Sequence, residues 1–163
     1  MATCKGKFSE LGNQLQAVMV SFVENENIAK LLTYKDKNID PLTQPIVADP
    51  YALINTQIFP QTYKPPTDEQ TVYISVFFGK FYKSTGNPYF KRGRLYINIS
   101  CHRDIYVSGG RLRVYDLMHE IDSILNRGDT TGSVSKDWFE SATYLPINDL
   151  YNSYTLEYQM FDA

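Results

Sequence analysis

The residues best suited to chemistry are concentrated in one window, residues 101–125, which reads CHRDIYVSGGRLRVYDLMHEIDSIL. It begins with Cys101 beside His102, the two side-chain types that catalysis by a thiol nucleophile requires. It continues with His119 and Glu120, which match the opening of a zincin-type zinc motif. The window therefore raises two hypotheses, a thiol nucleophile and a zinc site.

Both hypotheses fail on spacing. Residues 94–102 alternate like a strand, so Cys101 should face the core and His102 the opposite side. The zinc motif needs a second His four residues after the first, but position 123 is Ser. The sequence also contains no CxxC, phosphate loop, GxSxG or dinucleotide fingerprint. We therefore expect no catalytic residue, no metal site and no cofactor, and we predict that the protein is not an enzyme.

Composition narrows the class of protein further. The 163 residues are 43% hydrophobic, which suits one globular domain with a real core. The net charge of −2 excludes a globally basic nucleic-acid binder. No apolar run approaches the ~20 residues that span a bilayer, so no membrane partner is expected. Cys4 and Cys101 are far apart in the sequence, and we interpret both as reduced thiols in a cytosolic setting.

The pattern of apolar residues predicts a single α+β domain over residues 1–163. Helical periodicity indicates N-terminal helices within 1–35. Residues 40–66 hold six prolines among apolar residues, which favours an ordered arm wrapped over a surface. Residues 70–163 alternate as strands and carry one helix, predicted over 111–127 after a Gly-Gly break. The expected fold is an antiparallel (mixed) sheet of about four strands with helices packed on it.

Charge is separated along the chain in a way that the net charge hides. From Lys80 to Arg103 there are six basic residues and no acidic one, within a long hairpin. From Asp137 to the end the chain carries five acidic residues and no basic one. A solvated loop would explain this pattern, but so would a basic, aromatic tip that meets a partner, a neighbouring subunit or DNA. The candidate interaction residues are Lys80, Lys83, Tyr89, Phe90, Lys91, Arg92 and Arg94.

The order and character of the segments resemble a known family. An amphipathic helix precedes AKLLTYKDKNIDPL and an arm ending IFPQTYKPP, followed by YISVFFGKF, GRLYINISCHRDIYV, RLRVYDLMHEIDSIL and YNSYTLEYQMFD. This order is similar to that of the small neck proteins of tailed bacteriophages, most of all tail terminators and head–tail joining proteins. The resemblance implies a structural virion protein that forms a ring, usually a hexamer, which ends the tail tube and joins the tail to the head.

The same resemblance implies a set of partners. They are other copies of this chain, the tail tube protein, the sheath if the tail is contractile, and a head-side connector or head-closure protein. Genome DNA would pass through the ring as cargo, and the protein would assemble in the bacterial cytoplasm into the virion neck. A head-closure protein of the same neck is one alternative. A single-stranded nucleic-acid-binding domain that stacks bases on Tyr73, Phe77 and Tyr96 is another.

Overall fold

A computed structural model describes residues 11–64, 69–83, 91–126 and 137–161, with only the backbone described for 91–92, 137–138 and 160–161. Three helices pack on one face of a five-stranded sheet, and a two-stranded ribbon lies beside them. The helices are α1 (Leu11–Glu24), α2 (Glu26–Thr33) and α3 (Arg113–Leu125). The strands are β1 (Ile58–Phe59), β2 (Val72–Lys83), β3 (Lys91–His102), β4 (Val107–Ser108), β5 (Arg111–Leu112), β6 (Asp137–Pro146) and β7 (Tyr151–Phe161).

The sheet runs in the order β1-β2-β3-β7-β6, with β1 parallel to β2 and every other neighbour antiparallel. Its helix-covered face holds the core, because Val76, Ile97 and Leu156 stand side by side on adjacent strands and are buried. We call this the helix face and the opposite one the outer face. The predicted α+β single-domain class is confirmed.

Local sequence explains where α1 ends and α2 begins. Asn25 caps α2, since its side-chain oxygen accepts a hydrogen bond from the Ile28 amide at 3.0 Å. Its amide group also donates to Glu120 of α3 at 3.1 Å, and Asn27 donates to the other Glu120 oxygen at 2.9 Å. Glu120 therefore braces α3 against the start of α2, which gives this polar helix residue a structural role.

Two details of the prediction differ from the structure. The helix predicted over 111–127 spans Arg113–Leu125, because residues 111–112 form β5 and pair with β4 through the Gly109–Gly110 turn. The sheet has five strands where about four were expected, because the arm contributes the short strand β1.

The described part of the arm, residues 40–64, is built into the domain. It forms two 3₁₀ turns, Pro41–Thr43 and Pro50–Leu53, before β1, and Leu53 and Ile58 belong to the hydrophobic core. At its start, Arg111 donates two hydrogen bonds to Asp40, at 2.9 and 3.2 Å. The hydrogen bonds from Arg111 lower the pKa of the Asp40 carboxyl. The arm is therefore fastened by an ion pair at one end and by apolar burial further on.

The most deeply placed charge belongs to Arg113, which is fully buried at the start of α3. Its guanidinium donates to the Leu31 carbonyl near the end of α2, to the Ile105 carbonyl at 3.1 Å and to the Ser108 hydroxyl at 2.8 Å. Burial lowers the pKa of Arg113, and no described carboxylate forms an ion pair with it. Three separate segments thus meet on one side chain.

We predict that Arg113→Met destabilises the fold by about 3 kcal/mol or more, because two carbonyls and a hydroxyl lose a buried partner at about 1–3 kcal/mol each. Urea denaturation measures the change. The matched control is Arg103→Met, whose side chain is 61% exposed and should matter by less than about 0.5 kcal/mol. Equal midpoints for the two variants would contradict the bridging role of Arg113.

Candidate interaction surface

Cys101 and His102 lie on opposite faces of β3, as predicted. Cys101 is part of the hydrophobic core, where burial raises the pKa of its thiol to about 12. His102 lies on the outer face, edge-on to Tyr151 with ring centroids 5.2 Å apart, and its Nδ1 accepts from the Asp104 amide at 3.1 Å. The thiol is thus held protonated and has no imidazole beside it, so this pair cannot act as a thiolate nucleophile.

The candidate zinc-motif residues in the second half of the window, His119 and Glu120, are not brought together either. His119 is exposed on α3, whereas the carboxylate of Glu120 is engaged by Asn25 and Asn27. Among the residues that the structure describes, no group of three or more His, Cys, Asp or Glu side chains is placed to hold a metal ion. No described helix is both long and apolar enough to cross a bilayer.

The hairpin of β2 and β3 has a covered half and an uncovered half. From Val72 to Val76 every residue of β2 is buried, while Gly79, Lys80, Phe81 and Lys83 are exposed. Both strands have 12 residues, or about 40 Å, so the hairpin is longer than the helices that cover its base. We call residues 79–83 and 91–94 the hairpin end.

The predicted interaction residues fall on this hairpin end or just beyond it. Lys80 and Lys83 are exposed, and neither forms an ion pair within the described part of the chain. In the strand register Lys83 pairs with Lys91 and Lys80 pairs with Arg94, so basic residues stand opposite one another, an arrangement that is destabilising without counter-charge. Arg92 is also in β3, and Tyr89 and Phe90 lie outside the described residues.

Arg94 differs from Lys80 and Lys83 because it has a counter-charge within the described part of the chain. Its guanidinium lies 2.5 Å from Glu157 of β7 and 3.4 Å from Glu140 of β6. The hydrogen bond that Arg94 donates to Glu157 raises the pKa of Arg94. The acidic C-terminal strands therefore satisfy one residue of the basic hairpin. Alternation predicts that Arg94 and Glu157 both face outward, but the adjacency of their strands appears only in the structure.

The opposite end of the outer face is closed by aromatic rings, which corrects one expectation. Tyr73 is only 3% exposed, because Phe59 and Tyr63 of the arm cover it, and its hydroxyl donates to Glu69 at 2.7 Å. Tyr73 therefore cannot stack on a base, as the nucleic-acid alternative required. Phe77 and Tyr96 are stacked on each other, with Glu157 beside the Tyr96 hydroxyl. A carboxylate at this position disfavours phosphate, and the proposed platform was wrong in including Tyr73.

A further surface escaped the sequence analysis, namely the edge strand β6. It ends the sheet order, and each of its described side chains is exposed or half-buried. Phe139, Tyr144 and Leu145 are each about half exposed, at 48%, 51% and 51%. Alternation alone does not reveal an edge strand, because position in the sheet depends on long-range pairing. The signal available was Pro146, a residue tolerated chiefly at sheet edges.

One open cleft, of about 420 Å³, lies near the arm. Asp40, Arg111, Asp116 and Tyr115 are among its lining residues. Arg111 is already shared between Asp40 and Asp116, the latter at 3.3 Å. Because two carboxylates neutralise its only described basic side chain, the cleft is poorly suited to an anionic ligand.

Comparison with known protein families gives a match. The YomW family model matches residues 25–160, which cover most of the chain. No curated protein matches the sequence significantly. The chain therefore belongs to the YomW family, which is phage-derived.

The hairpin end also depends on a small residue. A bulge interrupts the β2–β3 pairing between Phe78 and Lys80, and a Cβ atom at Gly79 would overlap the Tyr96 ring. We predict that Gly79→Ala lowers the free energy of unfolding by about 1–3 kcal/mol, because the added methyl group overpacks the site. Gly12→Ala is the matched control, since nothing lies within 4 Å of a Cβ there and Ala is favoured over Gly in a helix. Thermal unfolding measures both, and a Gly79→Ala penalty that persists unchanged in a Tyr96→Ala background would contradict this explanation.

Proposed function

We propose that this member of a phage-derived family is a structural protein of the virion neck, which forms a ring that ends the tail tube and joins the tail to the head. One observation carries the proposal: the hairpin end lies beyond the helix cover, and its exposed Lys80 and Lys83 form no ion pair with any described residue. At this end β7 and β6 continue beside the hairpin, so four strands extend past the helices that cover the base of the sheet. A subunit of an assembly gains contact with its neighbours.

The rest of the surface supports an assembling subunit. The edge strand β6 leaves Phe139, Tyr144 and Leu145 about half exposed, and the β4–β5 ribbon exposes Val107 and Leu112 opposite each other. Exposed apolar side chains grouped on edges and loops are typical of interaction surfaces. In a closed ring, modest contacts of this kind recur at every interface and become collectively strong.

Deleting the gene from the phage that carries it tests the role in the particle. A tail terminator limits the length of the tube, so its loss should give tails of irregular and excessive length that do not join heads. Loss of a head-closure protein should instead leave normal tails beside heads that have released their DNA. Electron microscopy of the lysate separates these outcomes, and normal infectious particles would refute a neck function altogether. Complementation with the intact gene is the control.

We predict that Lys80→Glu with Lys83→Glu impairs assembly of the ring without unfolding the monomer. Both side chains are exposed, and each lost rim contact should cost about 0.2–1 kcal/mol, repeated at every interface. The measurements are the mass of the assembly by sedimentation and the fold by circular dichroism. Lys37→Glu with Lys64→Glu is the matched control, with the same charge change at two exposed lysines away from the hairpin. Equal assembly of the two double variants would contradict a role for the hairpin end.

A further inference from the structure

The five-stranded sheet has two free edges, at opposite ends of its strand order. One is β6. The other is the second half of β2, because β1 pairs with β2 only at Ile74 and Ser75. Within the described residues, β2 from Val76 onward has β3 as its sole strand partner. Each edge leaves a row of backbone N–H and C=O groups for another strand to use.

The hydrogen-bonding phase of β2 follows from its neighbours. The Ile74 amide donates to the Gln57 carbonyl on the β1 side, so Ile74 directs its backbone groups to that edge. Because bonding alternates along an antiparallel strand, Val76 and Phe78 direct theirs to the same edge, beyond the reach of β1.

The direction of the backbone hydrogen bonds along β6 follows from the bond just after its C-terminal end. The Ile147 amide donates to the Tyr151 carbonyl, so by the same alternation Leu145 and Thr143 bond to β7. Ala142 and Tyr144 then direct their backbone groups to the free edge. Pro146 falls in the outward phase, where its missing N–H breaks no bond of the sheet.

The two edges match in level and direction. The registers place Val76 and Ala142 on one level, through Ile97 and Leu156, and all four point to the helix face. The next outward pair on that face is Phe78 and Phe139. Since each strand from β2 to β6 is antiparallel to the one before, β6 runs antiparallel to β2, and it would also do so against β2 of a second copy in the same orientation.

The chemistry of the edges is complementary as well. On the helix face, Phe139 is half exposed on one edge, while Phe78 packs on Phe81 at the other, with centroids 5.6 Å apart. Bulges interrupt both edge strands next to the row of Phe78 and Phe139, on opposite sides of it: between Phe78 and Lys80 on β2 and between Phe139 and Ser141 on β6. On the outer face, Lys80 stands at one edge, whereas the other has Glu140 and Glu157 against the single charge of Arg94.

We propose that the first half of β6 of one copy, residues 137–142, pairs antiparallel with the second half of β2 of the next copy, which joins the sheets head to tail around the ring. Beyond Ala142, β6 leaves the joint, because β1 occupies the edge of β2 at Ile74 and Ser75. Ala142 faces Val76 and Phe139 faces Phe78 across the joint, and Glu140 lies near Lys80. The inference rests on the proposed ring and names the two surfaces that close it.

Cross-linking with cysteines tests the joint. The variant carries Lys80→Cys and Ser141→Cys in a Cys4→Ser background, while the buried Cys101 is retained. Within one chain the two positions are three strand spacings apart, about 14 Å, so a shorter bismaleimide can join them only between copies. The full-length protein is treated at a concentration at which the unmodified chain sediments as an oligomer, and the products are separated under denaturing conditions.

The expected result is a ladder of covalent oligomers from the double variant that ends at the size of the ring, with monomer alone from each single-cysteine variant. A ladder shows heterologous pairing. Dimers from Ser141→Cys alone would show a two-fold β6–β6 contact and overturn the proposal, as would the absence of a ladder from a double variant that still sediments as an oligomer. If gene deletion confirms a neck role but no ladder forms, the proposed β6–β2 joint is wrong and the proposed function stands. If a ladder forms but gene deletion shows no neck role, the proposed function is wrong and the joint stands.

Discussion

The buried guanidinium of Arg113 is the constraint on which the helical layer depends. A charge fully removed from water must be solvated by the protein, and here two backbone carbonyls and a hydroxyl take that role. The Leu31 carbonyl belongs to the last turn of α2, where the helix dipole favours a positive charge. Because the acceptors come from two separate segments, the end of α2 and residues 105–108, movement of either segment would remove hydrogen bonds from the buried charge. The start of α3, the end of α2 and the β4–β5 ribbon are thereby held in one arrangement.

That arrangement determines which part of the sheet is covered. The helices lie over Val76, Ile97 and Leu156, and the arm adds Ile58 and Leu53 to the same core. On the outer face the arm covers one end through Phe59 and Tyr63. The other end of the sheet has neither layer above it. The covered half of β2 and β3 therefore contributes to the core, whereas the uncovered half projects beyond it. Surface residues of the uncovered half can be substituted without loss of core packing.

The sequence predicted where the helices and strands lie better than it predicted which strands are adjacent in the sheet. Alternation correctly placed Leu95, Ile97 and Cys101 on one face of β3, because period and burial are local properties. It could not show that Arg94 meets Glu157, or that β6 ends the sheet, because both depend on pairing between distant segments. Tyr73 was misjudged for the same reason, since the rings that cover it come from the arm. The site prediction rested on charge pattern, which identifies a basic segment but not the partner of each cation.

The irregularities of β6 bear on the life of the free chain before assembly. A long, regular, apolar edge would recruit any extended segment in a crowded cell and lead to aggregates. The bulge near Glu140 and the missing amide of Pro146 leave only a short uninterrupted run between them. A strand without a matching irregularity can use a few hydrogen bonds there and then loses register. The edge therefore disfavours pairing with foreign strands, which lowers the tendency of the free chain to aggregate.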